Sequence, residues 1–91
     1  MVVMSTPPPM PEVQSNRSRT VLAANMIYLR GLRGWTQETL AFECGLHRTF
    51  VAHVERQVRN ISLDNIDRIA DALGVASCEL LTPNFRVPAS A

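Results

Sequence analysis

The segment from Thr36 to Val54 constrains the fold more than any other part of this 91-residue chain. Thr36 is a typical helix N-cap, with Glu38 in the first turn after it, and an apolar stripe follows at helical spacing: Leu40, Ala41 and Cys44. Gly45 then supplies a sharp turn, where a side chain would be strained or would crowd the next helix. The sequence therefore predicts two short helices joined by a glycine-centred turn.

The second of these helices is predicted from about Arg48 to Arg56 and has two different sides. Val51, Val54 and Val58 fall on an apolar side, whereas the opposite side carries Arg48, Thr49, Ala52, His53 and Arg56. Arginine can donate two parallel hydrogen bonds to guanine, and threonine can pack on a thymine methyl group. The pair of helices is thus typical of a helix-turn-helix that docks in the DNA major groove. The alternative is an ordinary solvated helix face.

Three more helices are predicted around this unit. The first begins near Ser18 or Thr20 and ends at Gly34. The fourth is predicted from Leu63 to Leu73, capped by Ser62 and closed by Gly74, with an apolar stripe of Leu63, Ile66, Ile69, Ala70 and Leu73. A short fifth helix is predicted from Cys78 to Leu81, with Ser77 as its cap.

Proline content and the lack of apolar periodicity mark the two ends of the chain as tails. We expect residues 1–17 to be a disordered, proline-rich arm and residues 83–91 to be a flexible tail. Residues 18–82 then form one folded domain. Since no segment shows strand-like alternation, the predicted fold class is all-α with five helices.

The charges are unevenly distributed although the formal net charge is only +1. Between Arg17 and Arg59 there are seven arginines against three acidic residues, whereas four acidic residues and two arginines follow from Asn60 onward. A positive half that contains the helix-turn-helix fits a surface that faces phosphates. A small domain can also split its charge in this way by chance.

The two cysteines, Cys44 and Cys78, lie in apolar helical patterns, so we expect buried thiols rather than a disulfide. Cys44 and His47 have the spacing of a zinc motif, but the chain offers no second pair, and the helical phase places Cys44 inside and His53 outside. We expect no metal and no other cofactor. The sequence shows neither a signal peptide nor a membrane-spanning segment, so a cytoplasmic location is expected.

Several ordered motifs resemble those of the phage repressor and Cro-like family of bacterial and phage regulators, also called the XRE family. They include Leu29-Arg30, Gly34-Trp35-Thr36-Gln37, Gly45-Leu46, Val54-Glu55-Arg56 and Ile69-Ala70-x-x-Leu73-Gly74-Val75. The runs from Leu46 to Val51 and from Arg59 to Leu63 also resemble the controller proteins of restriction-modification systems, a subgroup of that family. The resemblance covers nearly all of the predicted domain and implies a five-helix, lambda-repressor-like DNA-binding fold.

The resemblance also implies roles for individual side chains. Base edges would be read by Arg48, Thr49, Ala52 and His53. Phosphates would be contacted by Thr36, Gln37, Phe50, Arg56, Arg59 and Asn60. Arg30 and Glu55 would form a partly buried ion pair that ties the first helix to the third.

Three residues depart from the family pattern. His47 stands where a small cap residue is usual, which predicts a weaker N-cap for the third helix. Gln57 stands where glycine is common, and a left-handed backbone there would carry a strain of about 1–2 kcal/mol. Phe50 stands where a hydroxyl residue is often found near the phosphates, so that hydroxyl is missing.

We therefore predict a sequence-specific, DNA-binding transcriptional regulator that is not an enzyme, because no catalytic triad, metal motif or phosphate-cradling glycine loop is present. Alternatives are an antitoxin or a restriction-modification controller of the same fold, or a protein-interaction module that does not read DNA. No small-molecule effector is expected.

A homodimer on a two-fold symmetric operator is also predicted, because one recognition helix reads only a few base pairs. The apolar residues that the core does not obviously need lie late in the chain, and they predict the dimer interface: Val75, Leu80, Leu81 and Phe85. For Leu80 and Leu81 the alternative is that they close the small core.

Overall fold

A computed structural model describes residues 17–88. This range contains five α-helices and no strand. The helices are α1 (Arg17–Arg33), α2 (Gln37–Cys44), α3 (Arg48–Glu55), α4 (Leu63–Leu73) and α5 (Ser77–Leu80). The predicted all-α, five-helix fold is confirmed. Arg17, which was assigned to the arm, is the first residue of α1, and the rest of the predicted arm lies outside the described residues, as do residues 89–91.

Local hydrogen bonds set both ends of α4 where the sequence predicted them. The Ser62 hydroxyl oxygen accepts the backbone N–H of Asn65 at 3.1 Å, and Gly74 ends the helix in the left-handed conformation, with φ 74°. Arg33 reaches across from α1 and donates to the carbonyl of Leu73 at 2.9 Å. Glycine is favoured at position 74 by this left-handed backbone, and a Cβ there would lie 2.8 Å from the Arg33 guanidinium, which would have to shift.

The start of α5 differs from the prediction. Its N-cap is Ala76 rather than Ser77, and the backbone N–H of Ala76 donates to the Glu79 carboxylate at 2.8 Å. Ser77 is the first helical residue, and its hydroxyl donates to Asp67 of α4 instead of capping α5. The side chain that sequence reasoning assigned to the cap therefore joins two helices.

Buried apolar side chains from all five helices form one core. They are Leu22, Met26, Leu29, Leu40, Ala41, Cys44, Val51, Val54, Ile66, Ile69, Ala70, Leu73 and Leu80. The predicted stripes of α2 and α4 are largely confirmed, because one apolar face of each short helix packs against its neighbours. Within the described residues no helix is long and apolar enough to cross a membrane.

Three predicted core positions are exposed instead. Val58 follows the end of α3, where a left-handed residue turns the chain away from the helical path. Leu63 is the first residue of α4 and is 76% exposed, because the helix has not yet entered the core at that point. Cys78 lies on the outer side of α5, so of the two thiols only Cys44 is buried, and burial raises the pKa of the Cys44 thiol.

A buried asparagine joins α1 to the end of α5. The Asn25 side-chain amide donates to the carbonyls of Leu80 at 2.8 Å and Thr82 at 2.9 Å. These carbonyls lie at the C-terminal end of α5, where helical hydrogen bonds run out. Asn25 thus satisfies carbonyl groups at and just beyond the end of α5 that a four-residue helix cannot satisfy internally.

The chain after α5 packs on α1 up to Val87. Phe85 is half-buried against the core, and the Arg86 guanidinium lies 4.5 Å from the centre of the Tyr28 ring. The backbone N–H of Val87 donates to the Tyr28 hydroxyl at 3.2 Å. Residues 85–87 of the predicted tail thus contact α1, although they form no regular secondary structure, and the flexibility of the tail stays a prediction.

Candidate nucleic-acid interface

A tight turn joins α2 to α3 and fixes the angle between them. Thr36 caps α2 by accepting the backbone N–H of Thr39 at 3.0 Å, as predicted. At the other end Gly45 has φ 72°, and the N–H of Leu46 donates to the Ala41 carbonyl at 2.9 Å. Only three residues therefore separate α2 from α3, which is the arrangement predicted from Gly45.

The side chain of His47 caps α3. Its ring Nδ1 accepts the backbone N–H of Thr49 at 3.2 Å. One of the unpaired N–H groups at the start of α3 is thereby satisfied by an imidazole in place of a small hydroxyl side chain. The structure thus shows a side-chain cap at His47, and its predicted weakness relative to a small cap residue stays a prediction.

The residues predicted to read bases share one face of α3. Arg48 and Thr49 are exposed, Ala52 and His53 are half-buried, and Val51 and Val54 on the opposite side are buried in the core. The Arg48 guanidinium has no hydrogen-bond or ion-pair partner within residues 17–88. The buried side of α3 therefore packs in the core. Its other side presents Arg48 and Thr49, and part of His53, to solvent.

A buried carboxylate holds α3 against α1 and α2. The side chain of Glu55 is only 3% exposed, and its two oxygens face Arg30 Nε at 2.9 Å and Nη2 at 3.0 Å. Arg30 also donates from Nη1 to the Trp35 carbonyl at 2.9 Å. This two-point geometry, which is the strong form of an arginine–carboxylate contact, is the ion pair that the family resemblance implied.

Gln37 is part of the same network. Its side-chain Nε2 donates to Glu55 Oε1 at 2.8 Å, so this amide already has a partner inside the protein. A phosphate could still be reached by the second N–H of the amide or by the backbone N–H at the first position of α2, which has no helical acceptor. The structure brings Gln37 next to α3, as the implied bracing role requires.

The loop from Arg56 to Asn60 leads away from α3 and is exposed throughout. Gln57 has φ 65°, so the left-handed backbone considered from the sequence is present. The N–H groups of Gln57 and Val58 donate to the carbonyls of Val54 and His53, each at 3.0 Å, and so satisfy the end of the helix. The Arg59 guanidinium lies 5.5 Å from the centre of the half-buried Phe50 ring, so Phe50 supports a cation instead of supplying a polar contact.

Sequence reasoning missed two contacts that reach this loop from the first turn of α1. Thr20 Oγ1 donates to Gln57 Oε1 at 2.8 Å, and Arg19 donates to Asn60 Oδ1. No local pattern predicts these pairs, because their partners are 37 and 41 residues apart in the chain. Within the described residues, no group of three histidine, cysteine or acidic side chains is placed to hold a metal ion.

A helix-turn-helix family model, HTH_3, matches residues 26–80, which span the C-terminal part of α1 and all of α2 to α5. The chain belongs to the HTH_3 helix-turn-helix family. The match contains the whole α2–turn–α3 unit and the buried Arg30–Glu55 pair.

Relatives of this HTH_3 chain include named regulators. A hypothetical transcription factor of Neisseria meningitidis serogroup B is 49% identical over 80 residues, which cover 88% of this chain and 74% of that protein. Control protein C.BamHI of Bacillus amyloliquefaciens is 59% identical over 46 residues, which cover 50% of this chain and 57% of that protein.

Solved structures show the same fold. The crystal structure of the hypothetical transcription factor NHTF from Neisseria matches with a TM-score of 0.74 and 48% identity over 90% of both chains. The restriction-modification controller protein C.AhdI from Aeromonas hydrophila matches with a TM-score of 0.65 and 44% identity, over 68% of this chain and 94% of that one. The HTH_3 chain is accordingly a DNA-binding transcriptional regulator.

Proposed function

We propose that this regulator reads a specific duplex sequence by inserting α3 into the major groove, with no catalytic step and no cofactor or effector. The observation that carries the proposal is the exposed face of α3, where Arg48 has no hydrogen-bond or ion-pair partner among the described residues, while Val51 and Val54 on the opposite face are buried in the core. A rigid helix with free polar side chains is the geometry that direct base reading requires.

In this proposal the base contacts come from Arg48, Thr49, Ala52 and His53. Arg48, at the N-terminal end of α3, donates two hydrogen bonds to one guanine. Thr49 and His53 bond to neighbouring edges, and the methyl group of Ala52 lies against the groove floor. The recognition helices of such units contact bases mainly through their N-terminal residues, which is where Arg48 and Thr49 lie.

Phosphate contacts are proposed on both sides of the reading helix. Thr36 and Gln37 lie at the start of α2, and Arg56, Arg59 and Asn60 lie in the loop after α3. Phe50 contributes indirectly, because its ring lies under the Arg59 guanidinium. Arg30 and Arg33 are excluded from this role, since their guanidinium groups are bonded within the protein.

The proposal is tested by the salt dependence of binding to a selected duplex. Arginine contacts displace condensed counterions, so the logarithm of the affinity should fall linearly with the logarithm of salt concentration. Arg59→Ala should weaken all sequences alike and reduce the magnitude of that slope by about 1. Arg33→Ala is the matched control and should leave the slope unchanged, because Arg33 bonds to Leu73. An affinity that does not change with salt would contradict groove docking.

A restriction-modification controller is the more specific candidate within this class. The observation that favours it is the similarity to C.BamHI and to C.AhdI, both of which carry controller names. The hypothetical transcription factor matches more of this chain, however, so the general regulator remains the first proposal. Binding to the promoter of an adjacent restriction-modification operon would support the controller function, and selection of an unrelated site would contradict it.

We further propose a homodimer, with an interface that differs from the predicted one. Leu80 is 0% exposed, so it closes the core as the alternative stated, whereas Leu81 beside it is 37% exposed. Val75 and Phe85 are half-buried against the core, so only the exposed part of each side chain can contribute to a dimer interface. Leu81 instead borders a cavity of about 400 Å³ whose rim includes the exposed Leu63. A second copy that covers Leu63 and Leu81 would bury these two exposed leucines and supply the second reading helix.

Leu81→Asp should therefore convert the dimer to a folded monomer that binds a complete operator at least tenfold more weakly. A charge placed in an apolar interface is desolvated without a partner, so association is strongly opposed. Sedimentation with and without DNA measures the change, and circular dichroism checks that the monomer is folded. Leu32→Asp adds the same charge at an exposed leucine outside this surface and should leave the dimer intact. A wild-type monomer that binds one half-site with full affinity would contradict the homodimer.

A further inference from the structure

The loop after the reading helix is clasped by the first turn of α1. Two hydrogen bonds make this contact: Thr20 Oγ1 donates to Gln57 Oε1 at 2.8 Å, and Arg19 donates to Asn60 Oδ1. We call these four residues the α1–loop clasp. Arg56 and Arg59 lie within or beside the clasped segment, so the clasp connects α1 to the stretch that carries the proposed phosphate contacts.

The backbone conformation at position 57 does not require a glutamine side chain. Its φ of 65° is in the left-handed region, where glycine is unstrained and glutamine is not. The two backbone hydrogen bonds that close α3, from Gln57 to Val54 and from Val58 to His53, would form equally well with glycine. What glutamine adds at this position is a side chain long enough to reach the Thr20 hydroxyl.

We propose that Arg19 and Thr20 are positioning residues for DNA binding, which they support by holding the loop from Arg56 to Asn60 in its phosphate-contacting conformation. This inference rests on the proposed function. A loop that is already ordered in the free protein loses less conformational entropy when DNA binds, so affinity rises without an additional contact to DNA. Thr20 holds the loop through its hydrogen bond to Gln57 near one end, and Arg19 holds it through its hydrogen bond to Asn60 at the other end.

The clasp predicts opposite effects on stability and on affinity. Gln57→Gly should leave the melting temperature equal to or above that of the wild type, because the backbone strain is relieved and only an exposed hydrogen bond is lost. The same variant should bind the selected duplex about three- to tenfold more weakly, because the loop must be ordered on binding. A purely structural contact would instead lower the melting temperature and the affinity together.

Thr20→Val and Thr20→Ser separate positioning from direct contact. Thr20→Val keeps the shape of the side chain but cannot donate to Gln57, so it should weaken DNA binding as much as Gln57→Gly does. Thr20→Ser keeps the hydroxyl and should bind like the wild type. The double variant Thr20→Val/Gln57→Gly should be no weaker than Gln57→Gly, because both changes break the same bond. The selected base sequence should be the same for every variant.

Binding isotherms at one fixed salt concentration, with a melting curve for each variant, test the positioning role of the α1–loop clasp. Weaker binding by Gln57→Gly alone, with Thr20→Val unaffected, would overturn the clasp, because the loss would then come from the missing glutamine side chain or from the added backbone freedom of glycine and not from the bond to Thr20. Wild-type affinity in both variants would overturn it as well, as would a parallel loss of stability and affinity. A wild-type protein that binds no duplex would refute the proposed function itself, whereas binding-competent variants with equal affinity refute only the positioning role.

Discussion

Replacing Glu55 with alanine is expected to lower the free energy of unfolding by about 3 kcal/mol, which is the lower end of the range for breaking a buried ion pair. The carboxylate is 3% exposed and bonds to Arg30 at two points and to Gln37. Removing it leaves a guanidinium that is 18% exposed without its counter-charge, along with an unpaired amide. The partial exposure of Arg30 is the reason for choosing the lower end.

Urea unfolding of Glu55→Ala, Arg30→Met and the double variant measures this effect. The double variant should recover part of the loss, because no uncompensated charge then stays buried, and the coupling energy should exceed about 1 kcal/mol. Glu43→Ala is a matched control on exposed α2 surface and should change the stability by less than about 0.5 kcal/mol. Coupling near zero would mean that Arg30 and Glu55 act as independent charges and that α3 is not held by this pair.

Leu80→Ala should cost about 3 kcal/mol of stability, because it empties a fully buried site in the core. The loss should be independent of protein concentration, since Leu80 packs within one chain. Leu81→Ala, at the partly exposed neighbour, should cost much less in a dilute sample. A Leu80→Ala variant that unfolds like the wild type but fails to dimerise would show that Leu80 belongs to the interface after all.

The features that sequence reasoning predicted correctly are those set by local chemistry. Thr36, Ser62, Gly45 and Gly74 mark the ends of α2 and α4, because a capping hydroxyl and a left-handed glycine act within three or four residues. Helical spacing likewise placed most of the core. It failed at Val58 and Leu63, which continue an apolar spacing beyond the point where the helix packs against its neighbours.

The features that were missed depend on residues far apart in the chain. Asn25 bonds to carbonyls 55 and 57 residues later, and Thr20 bonds to a residue 37 positions away, so neither has a signal in its own segment. The sequence could not show that Leu80 is buried and Leu81 is partly exposed, because a helix of four residues is too short to define a buried stripe. Even the Arg30–Glu55 ion pair was predicted from the family resemblance and not from a local sequence pattern.

The candidate site was predictable in outline because a helix face follows directly from sequence spacing. The positions of Arg48, Thr49, Ala52 and His53 needed only the helical period and the buried Val51 and Val54. Which bases those side chains contact depends on how α3 lies in the groove. We expect that orientation to depend on the α2–α3 turn and on the proposed phosphate contacts together, and base contact therefore stays a prediction.

Selection of bound sites from a randomised duplex library, performed with the wild type and with Arg48→Ala, tests base reading by α3 most directly. The wild type should select a two-fold symmetric site with one guanine per half-site that depends on Arg48. Arg48→Ala should lose the preference at that base pair, at a cost of about 1–3 kcal/mol, and keep it elsewhere. An Arg48→Ala protein that selects the same site as the wild type, with the same preference at every position, would contradict the assignment of α3 as the reading helix.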